Sequence, residues 1–246
     1  MINEHIEYDR DVNPYPSSGK KYNGEKAIIS LTSWKARINT LSKTLFSLIK
    51  QCPGFHIVLV LSEEEFPQKE KELPENLLAF IENEIVELLW VYNNYKSFKK
   101  WWFTADKYRD VPIISADDGC IYIRNYAEEL YQHWLNHSTD IISEVKFENY
   151  GIYYGGGGCG ILYPPNVFPD YIKFLSNAVI NSLHDDGFTG CYAKYKNINY
   201  HFIDNHTNDP KSLSFVEMEQ TTSVWKTGGC SNDSILLFKD LLNSTK

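Results

Sequence analysis

Two adjacent acids, Asp117 and Asp118, follow a short apolar segment (residues 111–116) and precede Gly119. An apolar run of this length predicts a buried strand that ends at a charged tip. Neighbouring carboxylates repel one another and raise each other's pKa unless a cation lies beside them. The pair therefore predicts a site for Mg²⁺ or Mn²⁺, hard ions that take oxygen ligands and bridge to phosphates. The alternative is an ordinary turn, since Asp and Gly are common turn residues.

A second acidic pair, Asp185 and Asp186, follows His184 and precedes a helix that we predict over residues 188–195. One interpretation is helix capping, an ordinary role for Asp at a helix start. The other is general-base catalysis, because a carboxylate held within hydrogen-bond reach and partly desolvated can deprotonate a hydroxyl group. Two adjacent acids would allow one to act as the base while the other fixes the geometry.

The glycine run at residues 155–160 satisfies the pattern G-x-G-x-x-G. That pattern binds dinucleotides where it opens a helix after the first strand, with an acid about 20 residues further on. Here residues 161–163 continue as a predicted strand, and the pair Pro164 and Pro165 prevents an immediate helix. Two interpretations remain: a backbone that a ligand approaches closely because no Cβ intervenes, and a flexible turn.

The elements that must position these residues alternate between strand and helix. Apolar segments predict strands at residues 26–33, 55–61, 85–92 and 111–116, and later shorter ones at 141–148 and 160–163. Helical spacing predicts helices around residues 41–49, 75–83, 97–108, 123–134, 188–195 and 235–242. Continuous apolar strands alternating with helices are typical of a mostly parallel sheet covered on both faces.

Ligands of such sheets bind beyond the carboxyl ends of the strands. The residues predicted to lie on that edge are Thr32, Ser33 and Arg37, the segment 92–99, and Asp117 with Asp118. Acids, lysines and an arginine would thus converge on one rim. The sequence therefore predicts a binding site for a phosphorylated, metal-chelating small molecule.

The chain has 246 residues, a formal net charge of -8 and five scattered cysteines. The acidic balance argues against nucleic acid as a partner, because phosphate binding needs a basic surface. The cysteines lack the spacing of zinc or disulfide frameworks, so we expect reduced thiols and a cytoplasmic location. No apolar run is long enough to span a bilayer. We divide the chain into a polar, loosely attached N-terminal arm (1–25) and a single domain (26–246), whose halves are residues 26–120 and 121–246.

In order and spacing, six segments resemble bacterial glycosyltransferases of the GT-A fold, close to family 2, of the kind encoded in capsule and lipopolysaccharide gene clusters. The segments are SLTSW with Arg37 and Ile38, SFKK at 97–100, ADD at 116–118, the glycine-rich stretch at 157–165, the acids 185–186, and Asn232 with Asp233. The resemblance covers the chain from about residue 26 to its end. It implies a GT-A-like (Rossmann-like) α/β fold: a mostly parallel central sheet flanked by helices, with a smaller acceptor-side region in the C-terminal half.

The resemblance also implies a metal-dependent transfer of a sugar from a nucleoside diphosphate to a hydroxyl of a glycan or lipid-linked glycan. We expect the nucleoside diphosphate to be UDP. Such an acceptor would require only peripheral contact with a membrane. On the donor side, Thr32, Arg37 and Lys99 would hold the nucleotide. Asp118 would bind Mn²⁺ or Mg²⁺, and Asp117 would contact the ribose or a metal-bound water.

On the acceptor side, the resemblance assigns Asp186, helped by Asp185, as the base of an inverting reaction. Gly157, Gly158 and Tyr163 would face the acceptor sugar. The sequence departs from the family pattern at the metal motif, where many members have a third acid and this chain has Gly119. If that acid were the metal ligand, metal binding would be weakened or the protein inactive.

Three other functions fit the same segments. A retaining transferase would share the donor site but need no base at Asp186. A non-catalytic nucleotide or glycan binder would explain Gly119 as a remnant of lost chemistry. A nucleotidyltransferase would release pyrophosphate rather than a nucleoside diphosphate.

Overall fold

The structure is a computed structural model that describes residues 15–51, 54–122, 125–203, 215–217 and 233–244. The helices are α1 (Leu41–Gln51), α2 (Glu75–Glu82), α3 (Trp102–Lys107), α4 (Tyr126–Asn136), α5 (Asn177–Asn181), α6 (Asp185–Lys196) and α7 (Ser234–Asn243). The strands are β1 (Ser17–Gly19), β2 (Ala27–Thr32), β3 (Phe55–Ser62), β4 (Glu87–Val91), β5 (Ile113–Asp117), β6 (Cys120–Tyr122), β7 (Ile141–Ser143), β8 (Phe147–Asn149), β9 (Ile152–Tyr154), β10 (Ile161–Tyr163), β11 (Tyr200–Phe202) and β12 (Phe215–Glu217). Short 3₁₀ helices occur at Lys69–Glu72, Lys96–Lys99 and Tyr171–Phe174.

Eight of these strands form a central sheet in the order β1-β4-β3-β2-β5-β10-β7-β11. Strands β4, β3, β2 and β5 are parallel to one another, and β11 is parallel to β7. Strand β10 is antiparallel to both of its neighbours, and β1 is antiparallel to β4. The predicted α/β fold with a mostly parallel central sheet flanked by helices is confirmed.

Two hydrophobic cores cover the two faces of this sheet. Because side chains alternate along a strand, Ile29 of β2 lies in the core that contains α1, α2 and α4. Its neighbour Ile28 lies in the other core, with α3, α6 and α7. Burial on both faces explains why β2 and β3 are apolar almost throughout.

The predicted helix over residues 97–108 is instead split into a 3₁₀ helix at Lys96–Lys99 and the shorter α3. Residues 98–104 are all buried. A regular surface helix buries only one stripe of its side chains, so the break in the helix allows this whole segment to be enclosed.

Two other predictions differ in detail. The predicted strand at 141–148 is two strands, β7 in the central sheet and β8 in a hairpin with β9. Within the predicted arm, β1 pairs with β4 and extends the sheet at its edge, so this part of the arm is attached by backbone hydrogen bonds. Residues 1–14 of the arm lie outside the described residues.

A buried ionic network surrounds Glu87, toward the amino ends of the parallel strands. Its carboxylate is hydrogen-bonded to His56 Nε2 (2.6 Å), Tyr108 Oη (2.6 Å) and Lys107 Nζ (2.5 Å). Burial alone would raise the pKa of Glu87, but the hydrogen bonds from these three partners lower it to about 2. The network therefore anchors α3 to the sheet at the edge opposite Asp117.

Because the ionised form of Glu87 is favoured in the folded state, its contribution to stability is present above the ordinary pKa of 4.5 and is lost as pH falls toward 2. We expect Glu87→Gln to lower the free energy of unfolding by about 3–5 kcal/mol at neutral pH, since it leaves buried partners unpaired. Urea unfolding across this pH range measures the difference between variant and wild type, which should shrink as pH falls. A difference that stays constant would contradict the pKa assignment.

Candidate functional site

The candidate site lies at the carboxyl ends of β2 and β5. In the parallel pairing of these strands, Thr32 is the register partner of Asp117, so the segments that follow both strands meet at one rim. The first turn of α6 brings Asp185 and Asp186 to the same rim, where Lys100 pairs with both Asp117 and Asp185. The structure therefore brings the second acidic pair to the rim that was predicted for Asp117 and Asp118.

Lys100 is the centre of this cluster. Its Nζ lies 2.7 Å from Asp117 Oδ1 and 3.1 Å from Asp185 Oδ2, and the residue is only 5% exposed. Burial alone would lower the pKa of Lys100, but attraction to Asp117, Asp185 and Asp186 outweighs it and holds the pKa well above its usual value. The ammonium group is consequently charged throughout the neutral pH range.

Asp186 is half-buried beside this ammonium group, and its Oδ2 accepts a hydrogen bond from the Gly157 N–H at 3.0 Å. Burial is the main reason why the pKa of Asp186 is raised to about 7. Lys100 opposes this shift, whereas Asp185 and Asp117 add to it. A carboxylate with a pKa near neutrality can accept and release a proton at the pH of a cell.

Helix capping is not what the second acidic pair does. The N-cap of α6 is His184, while both acids lie inside the first turn. Their side chains are bonded to other segments, Asp185 to Lys100 and Asp186 to the Gly157 backbone. This geometry leaves the general-base interpretation open for Asp186.

Asp118 points into the protein. Its Oδ2 accepts a hydrogen bond from Ser33 Oγ at 2.7 Å, and its Oδ1 is paired with Arg37 Nη1 at 2.8 Å. Burial raises the pKa of Asp118, although the bonds from Ser33 and Arg37 oppose that shift. Arg37, predicted to hold a nucleotide, is thus paired with the acid that was predicted to bind the metal.

The donor set does not fit a divalent ion. Mg²⁺ and Mn²⁺ need several oxygen ligands with lone pairs available to the metal. Both carboxylate oxygens of Asp118 already accept hydrogen bonds, and one oxygen of Asp117 is paired with Lys100. Within the described part of the chain, no group of three or more His, Cys, Asp or Glu side chains is arranged to hold a metal ion.

The side chains of the other two donor-side residues, Lys99 and Thr32, are hydrogen-bonded within the protein. Lys99 is 1% exposed, and its Nζ donates to Asn94 Oδ1 at 2.8 Å. Burial lowers the pKa of Lys99 to about 8, against the opposing attraction of nearby acids, among them Glu65 and Asp118. The Thr32 hydroxyl donates to the Val60 carbonyl at 2.7 Å.

The glycines of the 155–160 run approach the acids closely. A Cβ atom on Gly157 would lie 2.6 Å from Lys100 Nζ and 2.8 Å from Asp186 Oδ1, and one on Gly158 would lie 2.7 Å from Asp117 Oδ2. The Tyr122 hydroxyl accepts from the Asp117 N–H and donates to the Gly158 carbonyl. A larger residue would push these side chains away, so glycine suits the close approach, which favours that interpretation over a flexible turn.

Tyr163 does not lie with these residues. It is 1% exposed and stacks on Trp101, with ring centroids 4.0 Å apart and planes 17° apart. In the antiparallel pairing of β10 with β5 it is the partner of Ile113, at the end of β5 away from Asp117. Asp233, at the start of α7, accepts a hydrogen bond from the Tyr150 hydroxyl, and Asn232 lies outside the described residues.

Comparisons with known proteins give only weak likenesses. No family model matches the sequence, and no curated protein matches it. Among solved structures, the glycosyltransferase GlyE of Streptococcus pneumoniae TIGR4 has a TM-score of 0.49 and 11% identity over 90% of this chain, which spans 63% of that chain. A candidate glucose-1-phosphate thymidylyltransferase of Bacillus anthracis, in complex with sucrose, has a TM-score of 0.47 and 12% identity over 89% of this chain and 98% of that one. In the described ranges, no helix combines the length and apolar character needed to cross a membrane.

Sequence reasoning named Lys99 as a donor-side residue and missed Lys100, which forms the centre of the acid cluster. Lys100 stands beside Lys99 in the SFKK segment, and nothing in the sequence distinguishes the two. The break between the 3₁₀ helix and α3 turns Lys100 toward the acids and Lys99 toward Asn94. Tyr122 was also missed, since an isolated tyrosine in a three-residue strand carries no motif.

We expect Tyr163→Ala to lower the free energy of unfolding by about 3–5 kcal/mol, because it removes a fully buried aromatic ring from the core. The matched control is Tyr153→Ala, at a residue that is 46% exposed, and this change should alter stability by about 0.5 kcal/mol or less. Denaturant unfolding of both variants measures the contrast. Similar effects for the two would contradict the placement of Tyr163.

A second prediction concerns the cost of ionising Asp186. The folded pKa is raised from 3.8 to about 7, so the protonated acid favours folding at low pH, and this contribution is lost as pH rises through 7. Asp186→Asn should therefore raise the melting temperature at pH 8, by about 2–4 °C for each kcal/mol gained, and have little effect near pH 4. Thermal unfolding at both pH values tests this, with the exposed Asp240→Asn as the control. A variant that melts lower than wild type at pH 8 would rule out the raised pKa.

Proposed function

We propose that this protein transfers a sugar from a nucleoside-diphosphate donor, a UDP-sugar, to a hydroxyl group of a glycan acceptor, with inversion at the anomeric carbon. The observation that carries the proposal is Asp186. It is half-buried at the carboxyl edge of the sheet, held by the Gly157 N–H, and has a pKa of about 7. A base tuned in this way is what a hydroxyl nucleophile requires at neutral pH.

The proposed reaction uses Asp186 as the general base. Its carboxylate takes the proton of the acceptor hydroxyl while the hydroxyl oxygen forms a bond to the anomeric carbon. The bond from that carbon to the diphosphate oxygen breaks at the same time, and the diphosphate leaves with the electron pair. Attack from the face opposite the leaving group inverts the configuration. Asp185 takes part indirectly, because it holds Lys100 beside Asp186.

Positive charge for the donor diphosphate would come from the rim of β2 and β5. Arg37 Nη1 is paired with Asp118, and Lys99 lies close enough to Asp118 for the two charges to interact. Thr32 ends β2 opposite Asp117 and would contact the nucleotide, and Asp117, whose side chain is 38% exposed, would contact the ribose. Arg37 would supply charge-assisted hydrogen bonds, the strong contacts that proteins make with phosphates, whereas the buried Lys99 would add only its charge.

The acceptor would enter on the side of the glycine run. There the backbone of Gly157 and Gly158 lies against Asp186 and Asp117, so an acceptor bound beside this loop would be next to both acids. The acceptor we propose is a growing surface polysaccharide, either free or lipid-linked. With a lipid-linked acceptor, the protein would contact the membrane surface peripherally.

We expect Asp186→Asn to reduce the rate of sugar transfer by about 10²–10⁴-fold, the usual contribution of a positioned base. In the wild type, kcat/KM should rise with pH and level off above about 7, because only the deprotonated carboxylate accepts the proton. A UDP-release assay against a panel of UDP-sugars and glycan acceptors measures both. Asp240→Asn, an exposed acid on α7, should transfer at the wild-type rate.

The products of the same assay separate the proposal from its alternatives. Retained anomeric configuration with full activity of Asp186→Asn would indicate a retaining enzyme. Pyrophosphate release would indicate a nucleotidyltransferase, and nucleotide binding without turnover would indicate a binding protein. Each of these outcomes would overturn the assignment of Asp186 as the base.

A further inference from the structure

One buried ammonium group joins the two halves of the site. Lys100 Nζ contacts Asp117, which ends β5 on the proposed donor side, and Asp185, which opens α6 on the proposed acceptor side. Its side chain is 6% exposed, so these carboxylates and not water are its main surroundings. A cation at this point therefore has one carboxylate from each half of the site within 3.1 Å.

We propose that Lys100 is the resident cation of this site: its ammonium group occupies the position between Asp117 and Asp185 that a divalent ion would take, and nucleoside diphosphates bind without such an ion. The statement about nucleotides rests on the proposed function. The statement that Lys100 fills the cation position does not, and it can be tested on the protein alone.

Electrostatics supports this assignment. Two cations within a few ångströms of each other repel, most strongly around the buried end of Lys100, so a charged Lys100 disfavours a divalent ion in the cluster. Lys100 does not give up its proton near neutral pH, since attraction to Asp117, Asp185 and Asp186 outweighs its desolvation. The ion would have to displace the whole side chain from a buried position.

The remaining acids do not offer a second cation position. Asp118 is hydrogen-bonded through both oxygens to Ser33 and Arg37. Asp186 has one oxygen bound to the Gly157 N–H and interacts electrostatically with Lys100. Each of the four carboxylates therefore has a donor from the protein itself, as a cluster built around internal cations requires.

The experiment is a titration of Mn²⁺ into wild-type protein, followed by the electron paramagnetic resonance signal of the free ion. We expect no stoichiometric binding. Lys100→Met leaves Asp117, Asp185 and Asp186 around an uncharged side chain, and should bind one equivalent of Mn²⁺ at least about tenfold more tightly than wild type. Its melting temperature should rise with Mn²⁺, because a ligand that binds only the folded state stabilises it. Lys100→Arg retains the charge, and Lys173→Met removes an exposed lysine. Neither variant should therefore show stoichiometric Mn²⁺ binding.

The wild-type titration decides the question even if Lys100→Met does not fold. Stoichiometric Mn²⁺ binding by wild type that is lost in Asp117→Asn would overturn the proposal, as would a folded Lys100→Met without any gain in Mn²⁺ affinity. Calorimetric titration of UDP in EDTA should give the same affinity as in Mn²⁺, and a requirement for Mn²⁺ would also count against it. Failure of UDP to bind under both conditions would instead reject the proposed function, while the Mn²⁺ result would still stand.

Discussion

The site depends on one buried ion cluster, in which the ammonium group of Lys100 is shared by Asp117 and Asp185. A charged group is costly to bury unless its partners are held in place around it. Each partner here comes from a different segment of the chain, so the cluster forms only when the sheet, the segment before α3 and the start of α6 are all assembled. The same contact that neutralises the buried charges therefore fixes the relative positions of the donor-side and acceptor-side acids.

The sheet supplies the frame for this cluster. Parallel pairing of β2 with β5 brings their carboxyl ends together, and antiparallel β10 is hydrogen-bonded to the other side of β5. The loop that precedes β10 consequently passes close to Asp117 and Asp186. The backbone of Gly157 and Gly158 is the part of the loop that lies against these two acids. Close contact between loop and acids follows from strand order, and the glycines make it sterically possible.

Buried or half-buried acids lie at both the amino and the carboxyl edge of the sheet, and their pKa values are shifted in opposite directions. At the amino edge, Glu87 has three donors and its pKa is lowered to about 2, as expected for a structural ion pair. At the carboxyl edge, Asp186 is bound by one backbone N–H and its pKa is raised to about 7, mainly by burial. A carboxylate that the fold leaves under-stabilised is suited to proton transfer, and natural proteins accept that loss of stability at functional sites.

The sequence by itself determined the alternation of strands and helices, the parallel core of the sheet and the positions of both acidic pairs, because hydrophobic periodicity and strand-end polarity are local signals. Only the tertiary structure decided which side chains meet. It buried Tyr163 against Trp101, paired Asp118 with Arg37, and turned Lys100 rather than its neighbour toward the acids. These choices depend on a break in a predicted helix and on packing between segments far apart in the chain, which no local pattern of residues encodes.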